Sequence, residues 1–555
     1  MYQLKVTDIV PLAIAAFLIF KLLTRRNARL TPLSGPKSKS WFFGVSRYLI
    51  NAEDSASIYE EWASTYGWVY QVPGVLGYKR VVLCDPKAVA HFYARETTTY
   101  VQPPTTKLLV QKLLGGGIIV SEGDDHKRMR KGLTPAFSNT AIRRLTSVFY
   151  DSAYKLKSSW DSLLESNSNG QVIDVQTWFV MNRVSLDSMG IAGFSHDFNS
   201  LGGETSSVAA LFDKLAGLTP TPKSYITTIL SSIGTVIFLL GTLVPILFKL
   251  PTEQTIMFRN LRKELGDITE SLLQKTKKER EMGIVEEKGD RSIVGLLIKA
   301  EDPDSQIRLS KEEISAQVCI ISPSYETTSI SLTWALIELC THPHIQERLR
   351  TELPKPNAVD PTWEQLSSTT DFPYLDAVTH EVMRMHPPVD EGTRIAKEDD
   401  VIPLSTPLSL LSSTPGKLPT SVVIPKGTLV SVSIACVNRS NVLWGPDAKS
   451  FKPERWLENG LSGDGSSGIP KTAKEISGHR HLLTFSDGPR ICLGKGFALT
   501  EFKVVLSFLI RHYIFEFEEG AGHIPKIALH QSILPRPKVE GQDGARVPLK
   551  VRKVD

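Results

Sequence analysis

Phe485-Ser486-Asp487-Gly488-Pro489-Arg490-Ile491-Cys492-Leu493-Gly494 is the stretch on which the reading of this chain turns. A single cysteine stands between glycines, with an arginine two residues before it. That arrangement suits a thiolate that makes one bond to a metal centre. Gly488 and Gly494 let the backbone turn sharply and approach a flat group. Arg490 can pair with an anionic substituent through a charge-assisted hydrogen bond. Backbone N–H groups around the sulfur would temper its charge. The plain alternative is a buried free cysteine in a glycine-rich turn, since free Cys usually behaves as a small hydrophobe.

The chain has 555 residues, 41% hydrophobic and 22% charged. That is globular composition with ample length for a large core. No linker divides residues 41–555, so they read as one domain. The net charge of +5 is mild, and no basic-aromatic stripe accompanies it, which argues against nucleic acid. The five cysteines are Cys84, Cys319, Cys340, Cys436 and Cys492. Their odd number and the absence of a CxxC pair argue against a disulfide scaffold or structural zinc, and for a reducing compartment. His342-Pro343-His344 and His479-Arg480-His481 read as loops, with no HExxH beside them.

Residues 6–23 are almost all apolar, and Arg25, Arg26 and Arg29 follow. A bilayer span needs roughly 17–25 residues, so residues 1–24 are expected to form a transmembrane anchor. Arginines after the run, with no A-x-A site, speak against a cleaved signal peptide. They also keep the body of the chain in the cytosol. Residues 25–40 form a basic, proline-bearing hinge; Pro32 and Pro36 cannot continue a helix. A second uncharged stretch, 224–248, reads as an interfacial or buried segment, because a second span would split the domain across the membrane.

The pattern F-x-x-G-x-R-x-C-x-G resembles that of the cytochrome P-450 family, the haem-thiolate monooxygenases, and membrane-anchored eukaryotic members of fungal type above all. The resemblance covers nearly the whole chain after Leu30. It implies a mainly α fold with small β-sheets (α+β), and haem (iron protoporphyrin IX) whose iron takes Cys492 as axial thiolate. Such a ligand pushes electron density onto iron and favours O–O cleavage. The resemblance places Phe485, Gly488 and Gly494 in the cofactor cradle. It gives Arg490, Arg394 and Arg130 to the haem propionates, with His126 where the family pattern has Trp. For Arg130 and Arg394 the plain alternative is a surface salt bridge.

Ser310 and Glu313 have capping-box spacing and open an apolar helix expected to run about thirty residues, to Leu339. Its middle is Ile321-Ser322-Pro323-Ser324-Tyr325-Glu326-Thr327-Thr328. In the family a long helix crosses the haem with an acid-alcohol pair, which Glu326 and Thr327 match. A carboxylate and a hydroxyl joined by water can relay the protons that oxygen activation consumes. The plain alternative is a polar helix face, against the apolar surroundings. Pro323 and Ser324 depart from the usual Ala-Gly. Proline is expected to kink the helix near Cys319.

Glu381 and Arg384 share a helix face at i,i+3, worth little as a surface pair. With Arg455 in Phe451-Lys452-Pro453-Glu454-Arg455-Trp456, the resemblance makes them a buried ion triad that holds the Cys492 loop. Residues 174–178 and 191–194 resemble helices before the lid. Residues 404–420 read as a surface insertion between strands, 458–480 as an irregular loop, and 497–512 as an apolar helix. Pocket positions 118–120, 211–218 and 389–392 follow from the resemblance alone.

No flavin or nicotinamide fingerprint is present, so electrons must come from a separate partner. The family implies an NADPH-cytochrome P-450 reductase, with cytochrome b5 as an optional second donor. Lys495 and Lys503 are expected to steer an acidic partner. The implied reaction is monooxygenation, hydroxylation or epoxidation, of an apolar small molecule such as a terpenoid or polyketide, using O2. The implied home is the endoplasmic reticulum membrane, with lipid contact. The alternatives are a reductase-independent enzyme that rearranges peroxides, against which Thr327 argues, and a degenerate haem-binding membrane protein.

Overall fold

The computed structural model describes residues 31–554 except 42, 166–170, 175–180, 195, 202–255, most of 257–309, 322–323, 409–418, 458–467, 521–522 and 531–533. The expected anchor at 1–24, the stretch 224–248, the pocket positions 211–218 and Pro323 itself lie outside these residues. Among the described residues no helix is long and apolar enough to cross a membrane.

Strands β1 (Val69–Pro73) and β2 (Lys79–Leu83) lead into helix α1 (Pro86–Ala94). The Asp85 carboxylate caps α1 by accepting from the Ala88 N–H at 3.0 Å. After β3 (Tyr100–Val101) come α2 (Gly123–Leu133) and α3 (Asn139–Leu164), the latter capped by Ser138. Next are β4 (Gln171–Asp174) and α4 (Met181–Phe194), and then α5 (Lys311–Ile321) and α6 (Tyr325–Thr341). Helix α7 (Pro373–Met385) precedes β5 (Glu391–Ala396), β6 (Asp400–Pro403), β7 (Ser421–Ile424) and β8 (Leu429–Ser433). Helix α8 (Lys495–His512) runs straight into β9 (Tyr513–Phe517), followed by β10 (Ile527–His530), β11 (Arg536–Val539) and β12 (Pro548–Lys553).

The sheets are small. The largest has the order β1-β2-β8-β5-β3, parallel only between β2 and β8, where Val81 faces Val430. Consecutive buried residues in β2 and β8 put both faces of the sheet's centre against the protein. A three-stranded sheet has the order β4-β12-β9, and β6-β7 and β10-β11 are two-stranded. The insertion at 404–420 joins β6 to β7. The architecture is mainly helical with small sheets, as the sequence implies.

Helix α6 explains the centre of the molecule. Ile330, Leu332, Ala335, Leu336 and Leu339 are all buried, although they point to different sides. A helix apolar all round belongs inside, and α6 packs against α4, α7 and α8. Helix α8 is equally enclosed and lies along α3, where Phe149 meets Phe497 edge-to-face at 4.9 Å.

Three expectations need correction. The stretch expected to be one thirty-residue helix is described as two, α5 ending at Ile321 and α6 starting at Tyr325, and residues 322–323 lie outside the described residues. Its start is as expected: the Glu313 N–H donates to Ser310 Oγ at 3.2 Å, and the Ser310 N–H to Glu313 Oε2 at 2.9 Å. Asp174 ends strand β4, opposite Pro548, and is not helical; β-branched Val172 and Ile173 favour the strand. Lys503 is not a solvated lysine. It is buried in α8, and its Nζ donates to Asp376 Oδ1 at 2.7 Å and to the Leu366 carbonyl at 2.9 Å. Burial alone would raise the Asp376 carboxyl; His380 and Lys503 outweigh it and hold the group well below its ordinary range.

Candidate active site

Cys492 follows a single helical turn at Gly488–Arg490 and precedes α8. Its N–H donates to the Phe485 carbonyl at 2.8 Å, which closes the loop. Ser486 and Gly488 have φ of 60° and 63°. At Gly488 a Cβ would lie 2.2 Å from the Tyr93 carbonyl oxygen, so only glycine fits. Cys84, Cys340 and Cys436 are buried, whereas Cys492 is exposed. Burial nevertheless pushes its thiol up, while the Gly494 N–H, Arg130 and Lys495 pull it back. Cys492 is thus an exposed residue whose thiol is still closely surrounded by protein.

Arg130, Arg394 and Arg490 gather near the cysteine loop, with His126 beside them. Burial pushes His126 down to about 4, with Arg490 and Arg130 adding repulsion. Burial brings Arg490 down to about 10, with Arg394 adding repulsion. Burial also lowers Arg130, which the Cys492 sulfur partly offsets. Thus α2 supplies His126 and Arg130, β5 supplies Arg394, and the cysteine loop supplies Arg490. A cavity of about 470 Å³ opens between α2 and the cysteine loop, lined by His126, Lys127, Arg130, Thr134, Gly488 and Pro489. Arg490 donates to the carbonyls of Ile119, at 3.1 Å, and Ser121. Arg394 donates to the Thr393 carbonyl at 2.8 Å. Its Nε lies 3.0 Å from Glu96 Oε1 but is not aligned for a hydrogen bond.

The donor set fits haem. Buried Arg490 Nε and Arg394 Nε have no hydrogen-bond acceptor, and like charges crowd together beside a cysteine sulfur. A flat cofactor with two carboxylates on one edge would meet that need.

Helix α6 carries Glu326 and Thr327. Thr327 Oγ1 donates to the Ser324 carbonyl at 3.2 Å. Glu326 is buried, and Oε1 accepts from both Nε and Nη2 of Arg536, at 2.9 and 2.6 Å. Nothing in the local sequence signals this partner, because β11 joins α6 only through the tertiary fold.

Glu381 is fully buried in α7. It accepts from Arg384 Nε and Nη2 at 2.9 and 2.8 Å and from Arg455 Nε at 3.0 Å. The Trp456 indole and the Lys452 N–H also donate to it, each at 2.9 Å. From the triad a path of bonds leads to the cysteine loop. Arg384 Nη1 donates to the Asn438 carbonyl, and the Asn438 side chain binds Thr484 Oγ1 at 2.8 Å and the Leu483 N–H at 3.0 Å. Glu96, Asn438, Trp456 and Arg536 are partners that sequence reasoning missed. Ile119 and Val389, from the expected pocket positions, are exposed.

Comparison with known proteins agrees on one family. The family model for cytochrome P450 matches residues 34–540. The chain is 54% identical over 554 residues to the cytochrome P450 monooxygenase claQ of Ampulloclitocybe clavipes, covering 99% of this chain and 98% of that one. It is 55% identical over 561 residues to claP of the same fungus, covering 99% of each. Cytochrome P450 monooxygenase 128 of Postia placenta is 32% identical, over 98% of this chain and 96% of its own.

Proposed function

This chain belongs to the cytochrome P450 family and is a haem-dependent monooxygenase, and from that premise we propose a role for each residue of the site. Bound haem supplies the iron centre at which O2 is activated for insertion of one oxygen atom. Cys492 would hold the iron through its sulfur, with the Gly494 N–H moderating the sulfur's charge. Arg130, His126, Arg394 and Arg490 hold the propionates. Phe485, Gly488 and Gly494 shape the loop so that the backbone lies close to the ring. Thr327 and Glu326 handle protons. Glu381, Arg384 and Arg455 keep the cysteine loop in place, and residues 41–555 act as one catalytic domain.

The substrate is an apolar small molecule, with terpenoids and polyketides foremost, hydroxylated or epoxidised in fungal secondary metabolism. Electrons come from NADPH through a separate reductase, optionally with cytochrome b5. Residues 1–24 anchor the protein in the endoplasmic reticulum membrane with the catalytic part cytosolic. Trp41, Tyr48 and Ile50 are exposed just beyond the hinge, and the Lys39 ammonium lies 4.9 Å from the Tyr48 ring centre, which suits an interface between lipid and water.

The observation that carries this reading is the accessible Cys492 sulfur, desolvated and ringed by cations. The test is the carbon monoxide difference spectrum of the reduced, haem-loaded protein and of Cys492→Ser. The wild type should show the strongly red-shifted Soret band of thiolate ligation, and the variant should lose it. An imidazole-type band in folded wild-type protein would overturn the ligand assignment.

A further inference from the structure

Arg536 stands outside every motif that carries the site, yet it is the partner of one of its central residues. Its guanidinium is buried, and both Nε and Nη2 converge on a single carboxylate oxygen, Glu326 Oε1. The second oxygen, Oε2, accepts no hydrogen bond among the described residues. A two-donor grip on one oxygen fixes the carboxylate's plane and leaves the other oxygen to exchange a proton with water. Arg536 opens β11, whose hairpin partner is β10, and β11 packs on α6. Glu326 lies in the first turn of α6.

We propose that Arg536 is a positioning residue for proton delivery: it holds Glu326 Oε1 so that Oε2 serves as the proton-carrying oxygen beside Thr327. This rests on the reading of Glu326 given above. The role is not that of a generic strut, because a strut would be satisfied by a contact to either oxygen or to the helix backbone.

The test compares wild type, Arg536→Gln, Arg536→Lys, Glu326→Gln and Arg536→Gln/Glu326→Gln, each normalised to thiolate-ligated haem. With saturating reductase, O2 is reduced to hydrogen peroxide by one NADPH and one proton, or to two waters by two NADPH and two protons. NADPH oxidation should fall about ten-fold in Arg536→Gln, less than the roughly 10²–10⁴-fold of a proton-transfer group itself, because Arg536 acts through Glu326. It should fall less in Arg536→Lys, and no further in the double variant than in Glu326→Gln. Oxidation of guaiacol driven by cumene hydroperoxide, which brings its own reduced oxygen and proton, should be unchanged in Arg536→Gln and Arg536→Lys. Thermal unfolding midpoints should be non-additive across the Arg536 and Glu326 cycle, which reads the contact without turnover. If Glu326→Gln slows NADPH oxidation and Arg536→Gln does not, the positioning role is refuted while the proton role of Glu326 stands. If Glu326→Gln itself oxidises NADPH normally, the underlying reading falls. Equal losses in the NADPH and hydroperoxide reactions would reduce Arg536 to a structural residue and overturn the proposal.

Discussion

Glu381→Ala should empty the site of haem without unfolding the chain. The carboxylate accepts five hydrogen bonds from Arg384, Arg455, Trp456 and Lys452. Its removal strands two buried guanidiniums, and breaking one side of a buried ion pair costs about 3–5 kcal/mol. The cost here should sit near the lower end, about 3 kcal/mol, because neither arginine is left without acceptors. Arg384 keeps the carbonyls of Asn438 at 3.1 Å, Ala448 at 2.6 Å and Ser450 at 3.2 Å. Arg455 keeps the Asp447 carbonyl at 3.0 Å.

The loss falls where it matters for the cofactor. Asn438 ties the triad to Leu483 and Thr484, and Thr484 Oγ1 in turn donates to the Met383 carbonyl at 2.7 Å. Phe485, whose carbonyl fixes the Cys492 N–H, is the next residue. Haem-to-protein ratio, the carbon monoxide difference spectrum and urea unfolding of purified Glu381→Ala check this. Arg348→Ala, which removes a more exposed pair with Glu454, is the control and should lose little. Full haem occupancy with an unchanged thiolate-type band in Glu381→Ala would refute the path from triad to loop.

Two further outcomes follow from other residues. Glu501 is enclosed in α8 beside Ser185, Ser188 and Thr328, and burial pushes its carboxyl from 4.5 up to about 8. Its folded pKa is raised, so its contribution is fully present below the unfolded value and is lost as pH rises towards about 8. Wild-type unfolding free energy should therefore drop between about pH 5.5 and about pH 8 by on the order of 3 kcal/mol, at about 1.4 kcal/mol per unit. In Glu501→Gln that drop should disappear; an equal drop in both proteins, read by urea titration, would sink the assignment. Gly488→Ala should abolish the thiolate-type carbon monoxide band, since its left-handed φ costs about 1–3 kcal/mol before the contact with the Tyr93 carbonyl is counted; normal haem loading would show that the loop can give.

What was legible in the sequence is what local spacing encodes. The cysteine loop, the Ser310-Glu313 cap and the i,i+3 pair Glu381–Arg384 are each set within ten residues, so their chemistry is written in order along the chain. Lys503 shows the limit. Its neighbours Phe502 and Val504 are buried as well, so α8 has no solvent face at that point, and only the fold reveals that Asp376 waits across the helix interface. Glu326 shows the same limit in a different form. The acid was visible beside Thr327, but the arginine that holds it lies 210 positions away, on a strand with no pattern of its own.

The cation cluster joins stability to cofactor binding. Arg394 and Arg490 repel one another, while Arg490 and Arg130 add to burial in keeping His126 neutral. Buried like charges are unfavourable unless an anion joins them. Glu96 answers only in part: burial raises its carboxyl, and its Oε2 has no hydrogen-bond partner. The folded protein therefore holds an electrostatic debt that two propionates would settle, and whatever relieves it in the folded state alone must also stabilise that state. The loop that presents Cys492 and the arginine that meets the cofactor's edge are two residues apart, so ligation of iron and neutralisation of the cluster act on one short segment. Glycine at 488 makes that coupling tight, because the turn it forms against Tyr93 cannot move one group without the other.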